Sequence, residues 1–123
     1  MEEMERMLKK IEGILAQNPS YKFEAYSFVM AGLHYTVCKL LKPRHVSGRE
    51  LCEGLKDYAL EQFGPMARTV LEYWGIRSTE DFGQIVFLLI EAELLKKTEE
   101  DSIRDFDNIF DFNQAFRYEF KEE

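Results

Sequence analysis

The feature of this chain that most constrains its fold is a series of helix boundaries between residues 43 and 83. Ser47 can accept a hydrogen bond from the Glu50 amide while Glu50 reaches back to the Ser47 amide, which is the reciprocal pattern of a capping box. This pattern predicts that a helix begins at Gly48. The helix should end at Phe63, because a glycine and a proline follow it.

The same signals predict two more helices directly afterwards. Gly64 suits the left-handed position after a helix end, and Pro65 suits the first turn of a new helix. We therefore expect a second helix from Pro65 to Trp74, closed by Gly75, and a third that opens with Ser78 as its capping residue. Because the connections are short, these helices should pack on one another.

The first 17 residues have the pattern of an amphipathic helix. Met4, Leu8, Ile11 and Leu15 recur at helical spacing among charged side chains. Such a stripe normally packs on the core of its own domain. The same four residues also fit a short heptad pattern, which leaves self-association with another copy of the chain as the alternative.

Two further apolar stretches predict helices in the middle of the chain. A stripe from about Phe23 to Leu41 predicts a helix that ends before Pro43, since the residue before a proline is pushed out of helical geometry. The run 85–90 is apolar on all sides. We therefore expect the helix that opens at Ser78 to be the central, buried one.

The C-terminal segment is both acidic and aromatic. Residues 99–123 contain 3 Lys/Arg and 9 Asp/Glu, and so contribute −6 of the net charge of −7. This part of the chain also carries large apolar side chains: Phe106, Ile109, Phe110, Phe112, Phe116 and Phe120. They are too many for a solvated tail, so the segment should dock as a loop, a short helix or a hairpin. In the last case residues 109–112 would pair with 94–97, which would give a winged-helix-like layout.

These observations predict one mainly α domain over residues 1–123, a compact bundle of about five helices with a docked C-terminal segment. Its parts would be the N-terminal helix (1–17), a helical core (22–95) and the acidic, aromatic segment (96–123). No leader is evident, and no uncharged run approaches the roughly 20 residues that a membrane span needs. We expect a cytoplasmic protein with no membrane partner.

The only basic concentration in the sequence comprises Lys39, Lys42, Arg44, His45 and Arg49. We call these five residues the basic cluster. It could hold an anion or an acidic partner surface, or be a solvated loop whose cations offset the end of one helix. The acidic balance of the whole chain argues against general affinity for nucleic acid, because neutralising phosphates needs clustered cations.

Four residues could serve as zinc ligands, but their spacing matches no finger or ribbon. His34 and Cys38 would share a helix face, with His45 and Cys52 completing the set. A buried histidine and core thiols are the more common reading, and isolated cysteines fit a reducing compartment. No carboxylate, serine or histidine forms a recognisable catalytic pattern, so we expect no cofactor and no resident metal, and the sequence disfavours an enzyme without deciding against one.

Several phrases in the sequence carry a resemblance. They are residues 44–51 (RHVSGREL), 63–67 (FGPMA), 74–76 (WGI) and 79–83 (TEDFG). Over about residues 25–118 the chain resembles an uncharacterised family of small bacterial proteins, first labelled as restricted to planctomycetes and verrucomicrobia. The resemblance implies no activity and assigns no site residue.

The sequence thus favours a non-catalytic, cytosolic interaction or assembly module with an unidentified protein partner or a second copy of itself. The alternative is a winged-helix-like regulator that contacts nucleic acid or an anion through the basic cluster around Arg44. Direct DNA reading by the helix from Ser78 is disfavoured, because residues 78–95 contain no Lys or Arg. A small metal protein or enzyme using His34, Cys38 and His45 is the third hypothesis.

Overall fold

A computed structural model describes residues 2–117, and within them the chain is a mainly helical bundle. The α-helices are α1 (Glu2–Gln17), α2 (Phe23–Cys38), α3 (Gly48–Phe63), α4 (Ala67–Tyr73), α5 (Thr79–Glu91) and α6 (Phe112–Ala115). Two 3₁₀ turns, Gly64–Met66 and Ile103–Phe106, lie before α4 and before α6. None of the residues in this range forms a β-strand.

The predicted bounds of α3 are confirmed. The Glu50 amide donates to Ser47 Oγ at 3.1 Å, and the Ser47 amide donates to Glu50 Oε1 at 2.9 Å, so both halves of the capping box are present. At the other end Gly64 has a φ of 51°, which is the left-handed region that glycine tolerates best. Residues at the two ends of this helix therefore set its bounds: a side-chain cap at the start and a glycine at the end.

Two other helix boundaries differ from the prediction. The expected helix 65–74 is instead a 3₁₀ turn followed by α4, because the chain tightens around Pro65 and the Ala67 amide bonds Gly64 three residues back. Helix α2 ends three residues earlier than expected. The amide of Leu40 bonds the Val37 carbonyl, which unwinds the chain before Pro43 is reached.

The core lies where α5 packs against α2 and α3. Phe82 and Leu89 of α5, Val29 of α2 and Leu55 of α3 are fully buried. Helices α2 and α3 approach each other closely at Gly54, where an added Cβ would overlap the side chain of Thr36. The apolar run of α5 is thus buried between the two longer helices, as its sequence predicted.

Helix α1 uses part of its apolar stripe for the core. Ile11 is 1% exposed and Leu15 is partly buried, whereas Met4 is 60% exposed and Leu8 is 36% exposed. The interpretation of this stripe as core is confirmed for Ile11. Only Met4 and Leu8 remain available on the surface for contact with another copy.

The C-terminal segment docks on the helices, as its aromatic content predicted. We call residues 96–117 the strap. Its Phe106, Phe112 and Phe116 are each at most 6% exposed, and the last two pack edge to face with their ring centroids 4.9 Å apart. Phe120 lies outside the described residues.

The hairpin that would have made the fold winged-helix-like does not form within residues 2–117. The Asn108 amide donates to Glu80 Oε2 and the Ile109 amide donates to Thr79 Oγ1, each at 3.1 Å. These backbone groups therefore bond to side chains in the first turn of α5, not to a neighbouring strand.

Candidate functional site

A cavity of about 240 Å³ lies between α2, α3, α5 and the strap. Its floor is apolar and draws on every one of these elements: Leu33 and Val37, Val46 and Leu51, Val86 and Phe87, Ile90 and Leu95, and Phe106. Its rim is polar or charged: Arg44, His45, Ser47, Lys96, Asp101 and Asp105. The site thus combines an apolar interior with a charged opening.

The strap forms one wall of this cavity, and Phe106 attaches it. The Phe106 ring lies against Gly48 of α3 and Gly83 of α5, and it meets Phe87 edge to face with centroids 6.5 Å apart. A Cβ added to Gly83 would lie 2.8 Å from Phe106 Cβ, and one added to Gly48 would lie 3.0 Å from Phe106 Cε1. Two glycines on different helices therefore make the space that Phe106 fills.

A second attachment joins the strap to the loop before α3. His45 Nε2 lies 2.8 Å from Asp101 Oδ2, which also accepts a hydrogen bond from the Thr98 amide at 2.8 Å. Burial alone would raise the pKa of Asp101, but the bonds from Thr98 and His45 outweigh it and hold the pKa below its usual value. The Asp101 carboxylate therefore stays charged and links the strap to His45 at the rim of the cavity.

Arg44 is held on the rim by Glu50. Its two terminal nitrogens donate to the two carboxylate oxygens of Glu50 at 3.1 and 2.7 Å. The bond from Arg44, followed by that from the Ser47 amide, lowers the pKa of Glu50 to about 2. Both side chains are largely exposed, at 53% and 41%, so the pair orients Arg44 and adds little stability.

The basic cluster does not converge on one site. Arg44 and His45 line the cavity, but each is already paired with a carboxylate. Lys39 lies over the Tyr35 ring, with its Nζ 4.3 Å from the centroid. Lys42 and Arg49 are exposed and form no ion pair with any residue in the range 2–117. Three of the five predicted cations are therefore engaged by neighbours.

The four candidate zinc ligands are not brought together. His34 Nε2 and Cys38 Sγ lie 3.4 Å apart at the exposed end of α2, while His45 bonds Asp101. Cys52 is fully buried in the core, and burial raises the pKa of its thiol to about 12. Across the described part of the chain, no group of three or more His, Cys, Asp or Glu could hold a metal ion.

Sequence reasoning missed the contribution of the strap to the site. Lys96, Asp101, Asp105 and Phe106 all line the cavity. One local signal was present: Ser102 and Asp105 form a capping box, which opens the 3₁₀ turn that delivers Phe106. That signal predicts a turn, but it does not show which helices the turn will contact.

No helix within residues 2–117 is both long enough and apolar enough to cross a membrane. Comparisons of the chain with known protein families, with curated proteins and with solved structures found no match. The resemblance to the planctomycete and verrucomicrobial family therefore stays a prediction.

Proposed function

We propose that this protein is a non-catalytic interaction module that binds a partner protein through the face around the cavity. The observation that carries the proposal is the apolar hollow of about 240 Å³ with a polar rim. Protein interfaces concentrate their binding energy where one large side chain fills such a hollow and polar groups surround it.

Two exposed apolar side chains belong to segments that also line the cavity. Leu41, in the loop between α2 and α3, is fully exposed, and Ile103, on the strap, is 38% exposed. Each lies in a segment that also supplies residues to the rim. A partner that reached into the cavity could also cover these two side chains, and covering apolar side chains removes no water from polar groups.

The size of the cavity favours a protein partner over a small molecule. Pockets for drug-sized ligands and cofactors typically enclose about 300–1,000 Å³. A cavity of about 150 Å³ already holds benzene. A volume of about 240 Å³ therefore suits one large side chain better than a whole cofactor.

Charge supports the same proposal against the alternative of nucleic-acid binding. Arg44, His45 and Lys39 are engaged by neighbours, which leaves two of the five residues of the basic cluster, Lys42 and Arg49, without such a partner among the described residues. Two cations are a weak basis for neutralising phosphates. We place the protein in the cytoplasm as part of this proposal, since Cys38 and Cys52 are both free thiols.

The test is partner capture from the native host by three tagged proteins: the wild type, Val37→Phe and Met66→Phe. Val37 lines the cavity and is only half-buried, so a phenyl ring there should occupy the hollow without breaking the core. Met66 is 54% exposed and does not line the cavity, so its variant is the matched control for added aromatic surface.

We expect a protein that is captured by the wild type and by Met66→Phe at moderate salt, and lost with Val37→Phe. Equal capture by all three proteins would refute the cavity as the binding site. Nucleic acid that is captured at low salt and lost as salt rises would support the regulator hypothesis instead. Thermal unfolding of each variant must show that the fold is retained.

A further inference from the structure

We propose that the cavity accepts a tryptophan or tyrosine side chain from a partner polypeptide, with the donor group of that side chain bound by Asp105. This inference rests on the proposed function and specifies the chemistry of the partner.

The interior of the cavity excludes a charged anchor. Its floor consists of aliphatic and aromatic side chains, and the two basic residues on the rim nearest α3 already lie against carboxylates. Arg44 is bound by both oxygens of Glu50, and His45 is bound by Asp101. A charged group carried into the hollow would lose its hydration against this apolar floor without compensation, because Lys96 and Asp105 lie at the rim. An uncharged ring loses no such hydration.

Asp105 gives the rim an acceptor that the protein itself does not use. Its Oδ2 accepts from the Ser102 amide at 2.9 Å, whereas its Oδ1 has no hydrogen-bond partner among residues 2–117. Asp105 is exposed and forms no ion pair within that range. A carboxylate at the edge of an apolar hollow is complementary to an N–H or O–H donor at the edge of an aromatic ring.

Tryptophan and tyrosine are the side chains that combine these properties. Each presents an apolar ring with one donor at its edge, and each is enriched among the dominant contacts of protein interfaces. Lys96, which lines the cavity and is exposed without an ion pair in the described residues, can then meet a main-chain carbonyl beside the anchor.

The experiment is a ¹H–¹⁵N NMR titration of the full chain with N-acetyl-tryptophanamide and with its benzothienyl analogue, in which sulfur replaces the indole N–H. Both probes have nearly the same shape, so their difference isolates the donor. Binding should fall in the millimolar range that one buried side chain supports. Perturbed amides should cluster on Ser47, Val86 and Asp105, which line the cavity.

In the wild type, the indole probe should bind about fivefold more tightly than the analogue, as expected for one hydrogen bond to a charged group near solvent. In Asp105→Asn the ratio should fall to about one, because the amide N–H₂ meets the donor while its oxygen can still accept from Ser102. Val37→Phe should abolish binding of both probes.

Equal affinity for the two probes in the wild type would overturn the assignment of Asp105. Free indole is titrated as a third probe. If it binds and neither amide does, a polypeptide cannot enter the cavity, and the proposed occupant is overturned. Binding of none of the three would overturn it as well. Loss of partner capture by Val37→Phe together with any of these results would leave the proposed function standing while this inference fails.

Discussion

Replacing Gly83 with alanine should weaken the attachment of the strap and, with it, one wall of the cavity. The new Cβ would lie 2.8 Å from Phe106 Cβ, 2.9 Å from Cγ and 3.1 Å from Cδ1. These are the base atoms of a side chain that is only 4% exposed, so they cannot swing aside as the end of a flexible chain could. Either α5 or the strap must move.

Two opposing contributions set the magnitude of this effect. Alanine is favoured over glycine in a helix interior by about 0.8–1 kcal/mol. Overpacking a buried contact costs about 1–3 kcal/mol. This cost cannot exceed that of releasing Phe106 to solvent, which is about 1.5–3 kcal/mol. We therefore expect Gly83→Ala to lower the free energy of unfolding by about 1 kcal/mol, which is roughly 3–6 °C in Tm for a domain of this size.

Gly13→Ala is the matched control. Gly13 also lies within a helix, α1, but a Cβ added there meets no atom within 4 Å. Only the helix propensity changes, so this variant should raise the free energy of unfolding by up to about 1 kcal/mol. Urea or thermal unfolding followed by circular dichroism at 222 nm measures both substitutions on one scale.

A double-mutant cycle with Phe106→Ala tests the mechanism. Phe106→Ala removes the ring and leaves only the Cβ of residue 106 against the new methyl group, and the strap can shift more easily once the ring is gone. Gly83→Ala should therefore cost clearly less stability in this background than in the wild type. An equal loss of stability in both backgrounds would refute the contact with Phe106 as the cause. A stabilising effect of Gly83→Ala in the wild-type background would refute it too.

Four further substitutions test other parts of the structure. Glu50→Gln should remove the small stability that the lowered pKa of Glu50 provides, which is below about 1 kcal/mol for an exposed pair. In the wild type this contribution is present above pH 4.5 and is lost as the pH falls towards 2. The unfolding curves of the two proteins should therefore converge at low pH. Ile11→Glu should destabilise the fold by more than about 3 kcal/mol, whereas Leu8→Glu should change the stability by less than about 0.5 kcal/mol. If the wild type self-associates through α1, size-exclusion chromatography should show that Leu8→Glu is monomeric. Tyr21→Phe should cost about 1.5 kcal/mol in thermal unfolding, because it removes the 2.5 Å hydrogen bond from Tyr21 to the Asp81 carboxylate.

The parts of the fold that were predictable are those set by neighbours in sequence. The start of α3 depends on Ser47 and Glu50, and its end on Gly64, all within one local segment. The place of α5 followed from an apolar run that no solvent-facing helix could carry. Residues 109–112 were ambiguous for a physical reason. Their strand propensity lost to hydrogen bonds that the Asn108 and Ile109 amides donate to the side chains of Glu80 and Thr79, which are distant in sequence.

The cavity could not be predicted because no local pattern describes it. Its walls come from α2, α3, α5 and the strap, and its rim depends on a pairing between His45 and Asp101 across the chain. The sequence did point to Arg44 and His45 as a place where something could bind. It did not show that each would lie against a carboxylate of this chain, which is why we propose an uncharged guest in place of an anion.

The strap also makes the affinity of the proposed binding site a property of the whole molecule. Because residues 96–106 supply one side of the hollow, only molecules with the strap in place can bind, and the measured dissociation constant is the intrinsic value divided by the fraction in that state. A substitution far from the cavity that left the strap in place half of the time would halve the affinity while every lining residue stayed the same. Conversely, a bound partner would slow amide hydrogen exchange along the strap, including at residues it never touches.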